Sequence, residues 1–92
     1  MKIQTKSAGI LDNFSDTSIL DETESWPLAR FLDFLNLKLE NKLTAAIYSG
    51  RQLRDDICIL LNGRNTRVLP EGLNTQLKDG DSIFICIVIS GG

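Results

Sequence analysis

Ser82-Ile83-Phe84-Ile85-Cys86-Ile87-Val88-Ile89 is the most apolar run in the chain. Side chains alternate across a strand, so Ile83, Ile85, Ile87 and Ile89 take one face while Phe84, Cys86 and Val88 take the other. A strand that is apolar on both faces belongs at the centre of a sheet, covered on at least one side. The turn Lys78-Asp79-Gly80-Asp81 stands immediately before it, with Leu73 and Leu77 as apolar pegs and a second turn at Pro70-Glu71-Gly72. Further upstream, Ile57-Cys58-Ile59-Leu60-Leu61 is another β-rich run, ended by Asn62-Gly63, a strong short-range hairpin signal. Residues 66–69 are expected to return beside it.

The other half of the chain supplies the partners. Lys2-Ile3-Gln4-Thr5-Lys6 alternates weakly, and residues 17–20 make a second short β-compatible run beyond Gly9, so an N-terminal hairpin is predicted. Asp21, Glu22 and Glu24 then lead to Ser25, a good N-cap, with Pro27 in the first turn where its missing N–H costs nothing. Leu28, Phe31, Leu32 and Leu35 follow the i, i+3, i+4, i+7 rule, which predicts a helix to about Glu40 with one apolar stripe. Residues 41–56 fit either a short helix or an irregular crossing.

Hairpin, helix, hairpin and final strand together describe an α+β fold: a mixed sheet of about four to five strands packed on one main helix. This is the β-grasp arrangement of ubiquitin-like folds. One helix covers one face of a sheet, so the Phe84, Cys86 and Val88 face is left for a partner.

Composition narrows the function. At 92 residues, 42% hydrophobic and 24% charged, residues 1–92 are expected to form a single domain. Such a chain buries roughly 60–65% of its unfolded surface, enough for one core layer but not for a deep substrate cleft. That argues against a self-contained enzyme. The chain has no histidine, which excludes histidine bases and Ser-His-Asp triads. Ten basic against twelve acidic residues give no cationic footprint for a phosphate backbone, so nucleic acid is not an expected partner. The N-terminus lacks an apolar signal segment and nowhere do eighteen apolar residues run together, so no membrane contact is expected and the reading is cytoplasmic. Asp79 and Asp81 flank Gly80 as turn formers, and no metal site is predicted.

The last residues carry the functional clue. Ser90-Gly91-Gly92 follows the most hydrophobic strand directly. Glycine has no side chain and tolerates any backbone angle, so a Gly-Gly tail can thread a narrow channel and present its carboxylate. The segments Leu61-Asn62-Gly63-Arg64-Asn65 and Gly72-Leu73-Asn74-Thr75-Gln76-Leu77-Lys78-Asp79-Gly80-Asp81-Ser82-Ile83, closing on Ser90-Gly91-Gly92, resemble the MoaD/ThiS family of ubiquitin-like sulfur carriers. Trp26-Pro27 and the Asp81-Ser82-Ile83 ending are also similar to the ubiquitin-related modifiers.

The resemblance implies a cycle in which an E1-like adenylating enzyme spends ATP on the carboxylate of Gly92, and sulfur from a persulfide donor enzyme then replaces AMP to leave a thiocarboxylate. Adenylation supplies the leaving group that a free carboxylate lacks. The chain itself binds no cofactor in this scheme. In the molybdopterin branch the tail enters the large subunit of molybdopterin synthase, so the chain would be the non-catalytic small subunit. Other branches feed thiazole or thiolated tRNA, or conjugate to protein lysines. An inert β-grasp interaction module is the reading from a different class. The resemblance assigns Gly91 and Gly92 to the reactive tail and places Phe84 and Cys86 on the partner-facing surface, which Val88 and Ser90 continue. Where molybdopterin-type members usually carry a bulky aromatic followed by two prolines, this chain has Cys86-Ile87-Val88.

Two further sets of residues are open at this point. Cys86 is either a small apolar interface residue or a second sulfur-handling thiol, and Cys58 reads as plain strand packing. Arg64, Arg67 and Lys78 are expected near the glycine end, either solvated or orienting acidic residues of an activating enzyme. Trp26 reads as a staple on the helix entry.

Overall fold

The computed structural model describes residues 1–88. Its first strand, β1 (Lys2–Ala8), buries Ile3, Thr5 and Ser7 and exposes Lys2, Gln4 and Lys6, as the weak alternation predicts. β2 (Ser15–Ile19) returns antiparallel, from Lys2 opposite Ile19 to Lys6 opposite Ser15. The connection between them turns through a left-handed stretch at Leu11, Asp12 and Asn13, with φ of 52, 54 and 52°. Three successive non-glycine residues there are unusual. Local side chains hold them: Asn13 Oδ1 accepts from the Gly9 N–H at 2.8 Å, and the Ser7 hydroxyl accepts from Phe14 N–H and donates to the Ile10 carbonyl.

Helix α1 (Leu28–Lys38) buries Leu28, Phe31, Leu32 and Leu35, the four positions of the predicted stripe. Its start differs from the expectation. Pro27, not Ser25, occupies the N-cap position, with extended φ and ψ of −64 and 151°. The Leu28 N–H is satisfied by the Thr75 carbonyl at 2.9 Å, while the Ser25 hydroxyl donates to Gln76 Oε1. A tertiary contact with residues 75–77 thus replaces the local serine cap, and the Leu77 N–H to Trp26 carbonyl bond closes it. The helix also stops at Lys38 rather than Glu40, because Glu40 and Asn41 are left-handed, with φ of 56 and 67°.

Residues 41–56 contain elements that the sequence left open. A short helix, α2 (Lys42–Ile47), turns Leu43 and Ile47 into the core, and a small hairpin of β3 (Tyr48–Ser49) and β4 (Gln52–Leu53) follows.

β5 (Ile57–Leu61) runs into the Asn62-Gly63 turn, both residues having positive φ, as a two-residue hairpin of that sequence demands. The return strand is shorter and earlier than expected. β6 is only Arg64–Asn65, and residues 66–68 form a single 3-10 turn in which Asn65 Oδ1 accepts from the Arg67 N–H. The Asn65 side chain competes with the ladder for the backbone and stops the strand.

β7 (Ser82–Ile87) completes the sheet, whose order is β2-β1-β7-β5-β6. β7 is therefore central, parallel to β1 and antiparallel to β5. Its expected extension to Ile89 is not seen: the strand ends at Ile87, and Ile89 lies outside the described residues. Ile3, Ile57, Ile59, Leu61, Ile83 and Ile85 point inward onto the α1 stripe, and Trp26, Leu43, Ile47 and Leu77 close the cluster. Asp79 and Asp81 serve the turn before β7. Asp79 Oδ1 accepts from the Lys2 N–H, and Asp81 accepts from the Lys78 N–H and the Asn62 amide.

Candidate functional site: the outer sheet face and the end of the last strand

The helices lie on one side of the sheet, so alternate residues of each strand face outward. On β7 these are Phe84 and Cys86, both half-buried, and beyond the strand Val88 is 49% exposed. The pairing register supplies their neighbours. Phe84 lies between Lys6 of β1 and Leu60 of β5, and Cys86 lies between Ala8 and Cys58. The outer face thus has an apolar centre of Ala8, Cys58, Leu60, Phe84 and Cys86, and the exposed Lys2 and Lys6 of β1 alternate onto the same face. Leu60 and Ala8 were not singled out in the sequence, since only the register of β5 and β1 against β7 brings them to Phe84 and Cys86.

The downstream end of β7 has its own surroundings. The Val88 N–H donates to the Asp56 carbonyl at 2.7 Å, which ties the last described residue to the loop before β5. Asp56 in turn receives Arg54 Nη2 at 2.6 Å, and the other arm of that guanidinium donates to the Ala46 carbonyl. Because β1 runs parallel to β7, the left-handed β1–β2 connection also lies at this end, where Gly9 stands 3.8 Å short of Ile87 Cβ for any added Cβ. Arg54 and Asp56 had no motif to mark them in sequence.

The basic residues expected here separate into two groups. Arg67 is at the Val88 end, but its guanidinium donates to the carbonyls of Arg54 and Ile57 and so braces the β4–β5 connection. Arg64 pairs with Leu61, which itself pairs with Ile83, so it sits about 17 Å up the strand from Val88 at ~3.4 Å per residue. Arg64 and Lys78 instead line a shallow groove of about 250 Å³ with Asn62, Leu69, Gln76 and Asp81. Among the described residues neither makes an ion pair. Ser90, Gly91 and Gly92, the expected reactive tail, lie outside the described residues.

Burial, and then the neighbouring Cys58 thiol, push the Cys86 thiol above its ordinary value of 9.0, so it is protonated at neutral pH. Trp26, read as a staple, stacks edge-on to Phe34 with centroids 5.7 Å apart and carries the Arg30 guanidinium 3.9 Å above its ring.

No protein-family model matches the sequence, nor does any curated protein. Solved structures do. The crystal structure of SAMP1 from Haloferax volcanii superposes with a TM-score of 0.74 at 19% identity, covering 100% of both chains. The small archaeal modifier protein 1 of Methanosarcina acetivorans gives 0.68 at 28% identity, over 99% of this chain and 96% of its own. This chain has the ubiquitin-like β-grasp fold. A small chain from the BexX/CysO complex of Amycolatopsis orientalis gives 0.67 at 18%, over 98% and 99%. These structural neighbours span nearly the whole chain, and what they share with it is the fold that the element order predicts. Within the ubiquitin-like fold, β7 is the strand that leads into the tail, and the Phe84 face is the one its helices leave open. Among the described residues no helix is long and apolar enough to cross a membrane.

Proposed function

We propose that this chain is a sulfur carrier, with the carboxylate of Gly92 as its reactive group. An E1-like enzyme would use ATP to form the acyl adenylate with release of pyrophosphate; the terminal sulfur of a donor persulfide would then displace AMP to give an acyl disulfide, and a second thiol would attack the donor's inner sulfur, leaving as a disulfide with it and freeing the thiocarboxylate. The observation that carries this reading is the ubiquitin-like fold with its central strand ending at Ile87, five residues before Gly92. Phe84, Cys86, Val88 and Leu60 offer the docking face for the activating enzyme, and Lys6 beside Phe84 supplies an orienting charge. Transfer to a pterin precursor within a molybdopterin synthase large subunit is the acceptor step we favour. The chain lends that step its carboxyl terminus and no catalytic side chain.

A second reading is supported by the likeness to the small archaeal modifier protein 1 of Methanosarcina acetivorans. In it, Gly92 ends in an isopeptide bond to a lysine. Intact mass of the protein from its native cell separates the two. A gain of about 16 Da confined to Gly92 marks the thiocarboxylate, and its localisation distinguishes it from oxidation of Cys58, Cys86 or Met1. Conjugates that disappear when Gly91 and Gly92 are deleted mark the modifier. An unmodified Gly92 after incubation with ATP, sulfide and the native activating enzyme overturns the carrier reading.

A further inference from the structure

Cys58 and Cys86 are directly opposite one another in the β5–β7 ladder, 28 residues apart in sequence. The type of pair follows from the hydrogen bonds at the two ends of this ladder. Val88 N–H donates to the Asp56 carbonyl at 2.7 Å and Asn62 N–H to the Ser82 carbonyl at 2.8 Å. Pairs of this kind recur every second residue, so Cys58 and Cys86 form a hydrogen-bonded pair, as do Leu60 and Phe84. Cα atoms in such pairs are about 5.5 Å apart, inside the roughly 4.4–6.8 Å window of disulfides. Cβ atoms, however, stand near the wide end of about 4.5–5.5 Å, beyond the ~3.8 Å that a relaxed disulfide prefers. A bond here forms only under strain, and strained disulfides are the readily reduced ones.

Both thiols are free and lie on the face opposite the helices. Cys86 is half-buried and Cys58 is 8% exposed, so a reagent in solution meets Cys86 first and Cys58 is positioned behind it. Burial and the Cys58 thiol both push the Cys86 thiol up, which fits a site that exchanges slowly rather than a catalytic thiolate.

We propose that Cys58 and Cys86 are a redox modification site, a cross-strand dithiol that closes reversibly to a labile disulfide by exchange with an oxidised low-molecular-weight thiol. The Cys86 thiolate attacks one sulfur of the small disulfide and expels one thiolate, leaving a mixed disulfide. The Cys58 thiolate then attacks the Cys86 sulfur and expels the second. Two thiol protons are released, the two cysteines are oxidised and the small disulfide is reduced to two thiols. Closure joins the centres of β5 and β7 across the middle of the Phe84 face. This inference is independent of any chemistry at Gly92.

The probe is glutathione disulfide, applied to the full native chain and followed by intact mass and thiol alkylation. The expected product is about 2 Da lighter than the reduced chain, has no alkylatable thiol, and returns to the dithiol with reduced glutathione. Cys58→Ser should stop at a glutathione adduct on Cys86, whereas Cys86→Ser should react several-fold more slowly, because Cys58 is the covered thiol. A wild-type chain that halts at the mixed disulfide, links two chains, or oxidises only once denaturant has unfolded it overturns the proposal.

Discussion

Thr5 is fully buried in the middle of β1, and its hydroxyl is the one buried side-chain oxygen among the described residues without a hydrogen-bond partner. It points inward, between the neighbouring inward residues Ile3 and Ser7 on its own strand and beside Ile83 of β7. Leaving such a group dry costs about 1–3 kcal/mol relative to the unfolded chain, where water satisfies it. Thr5→Val puts a methyl group in the same volume and keeps the β-branch that suits a strand. The expected gain is about 1–2 kcal/mol. For a domain of this size that corresponds to a rise in Tm of roughly 4–16 °C, at 4–8 °C per kcal/mol. Urea unfolding followed by tryptophan fluorescence measures it, using the single Trp26 as reporter. The midpoint should rise while the m-value stays constant. Thr5→Ser, which keeps the hydroxyl and loses the methyl, should lower stability by about 1 kcal/mol. If Thr5→Val is neutral or destabilising, the hydroxyl has a partner, an internal water for example, and the reasoning fails.

Phe31→Ala should cost about 3–5 kcal/mol, because Phe31 is fully buried at the centre of the helix stripe, and chemical denaturation would show the chain near the unfolding threshold. A loss under 1 kcal/mol would mean that α1 does not anchor the core. Alkaline pH should destabilise the fold through Tyr48, whose phenol is held above its ordinary value of 10.0 by burial and by the charge of Asp33. The native state keeps that proton more tightly than the unfolded state, so the contribution is complete below about pH 10 and is lost as pH rises through the folded value. Tyr48→Phe should flatten the fall in urea midpoint above pH 10; an unchanged slope would assign the loss to other groups.

The elements that the sequence revealed are those whose signal is local and periodic. β7, β5, the N-terminal hairpin and the α1 stripe each present a side-chain repeat that needs no knowledge of the rest of the chain. Asn62-Gly63 is legible for a similar reason, since positive φ at two successive positions selects those residues. The helix start is not legible locally, because Ser25 and Pro27 make a plausible cap while the actual partner of the Leu28 N–H comes from Thr75, 47 residues on. The return strand falls at residues 64–65 rather than 66–69: Thr66 and Val68 favour strands, but the Asn65 side chain turns the backbone first. α2 and the β3–β4 hairpin are too short for periodicity to separate them from a loop. The outer sheet face is only half legible. Phe84 and Cys86 follow from alternation within one strand, but their neighbours Ala8, Cys58 and Leu60 follow from register, which no single segment encodes. Cys58 shows this most clearly: beside Ile57 and Ile59 it reads as core, yet it belongs to the opposite face.

The central placement of β7 also has a mechanical meaning. β7 is bonded along five positions to β1 on one side and five to β5 on the other. Because β1 is parallel to β7, Met1 and Val88 leave that pair at opposite ends. Tension applied between them runs along the strands and loads both ladders in shear, many hydrogen bonds at once, instead of peeling them apart one by one. A molecular machine that grips the chain beyond Val88 would therefore pull against the strongest direction of the fold, and would find an easier start by unzipping β2 from the sheet edge.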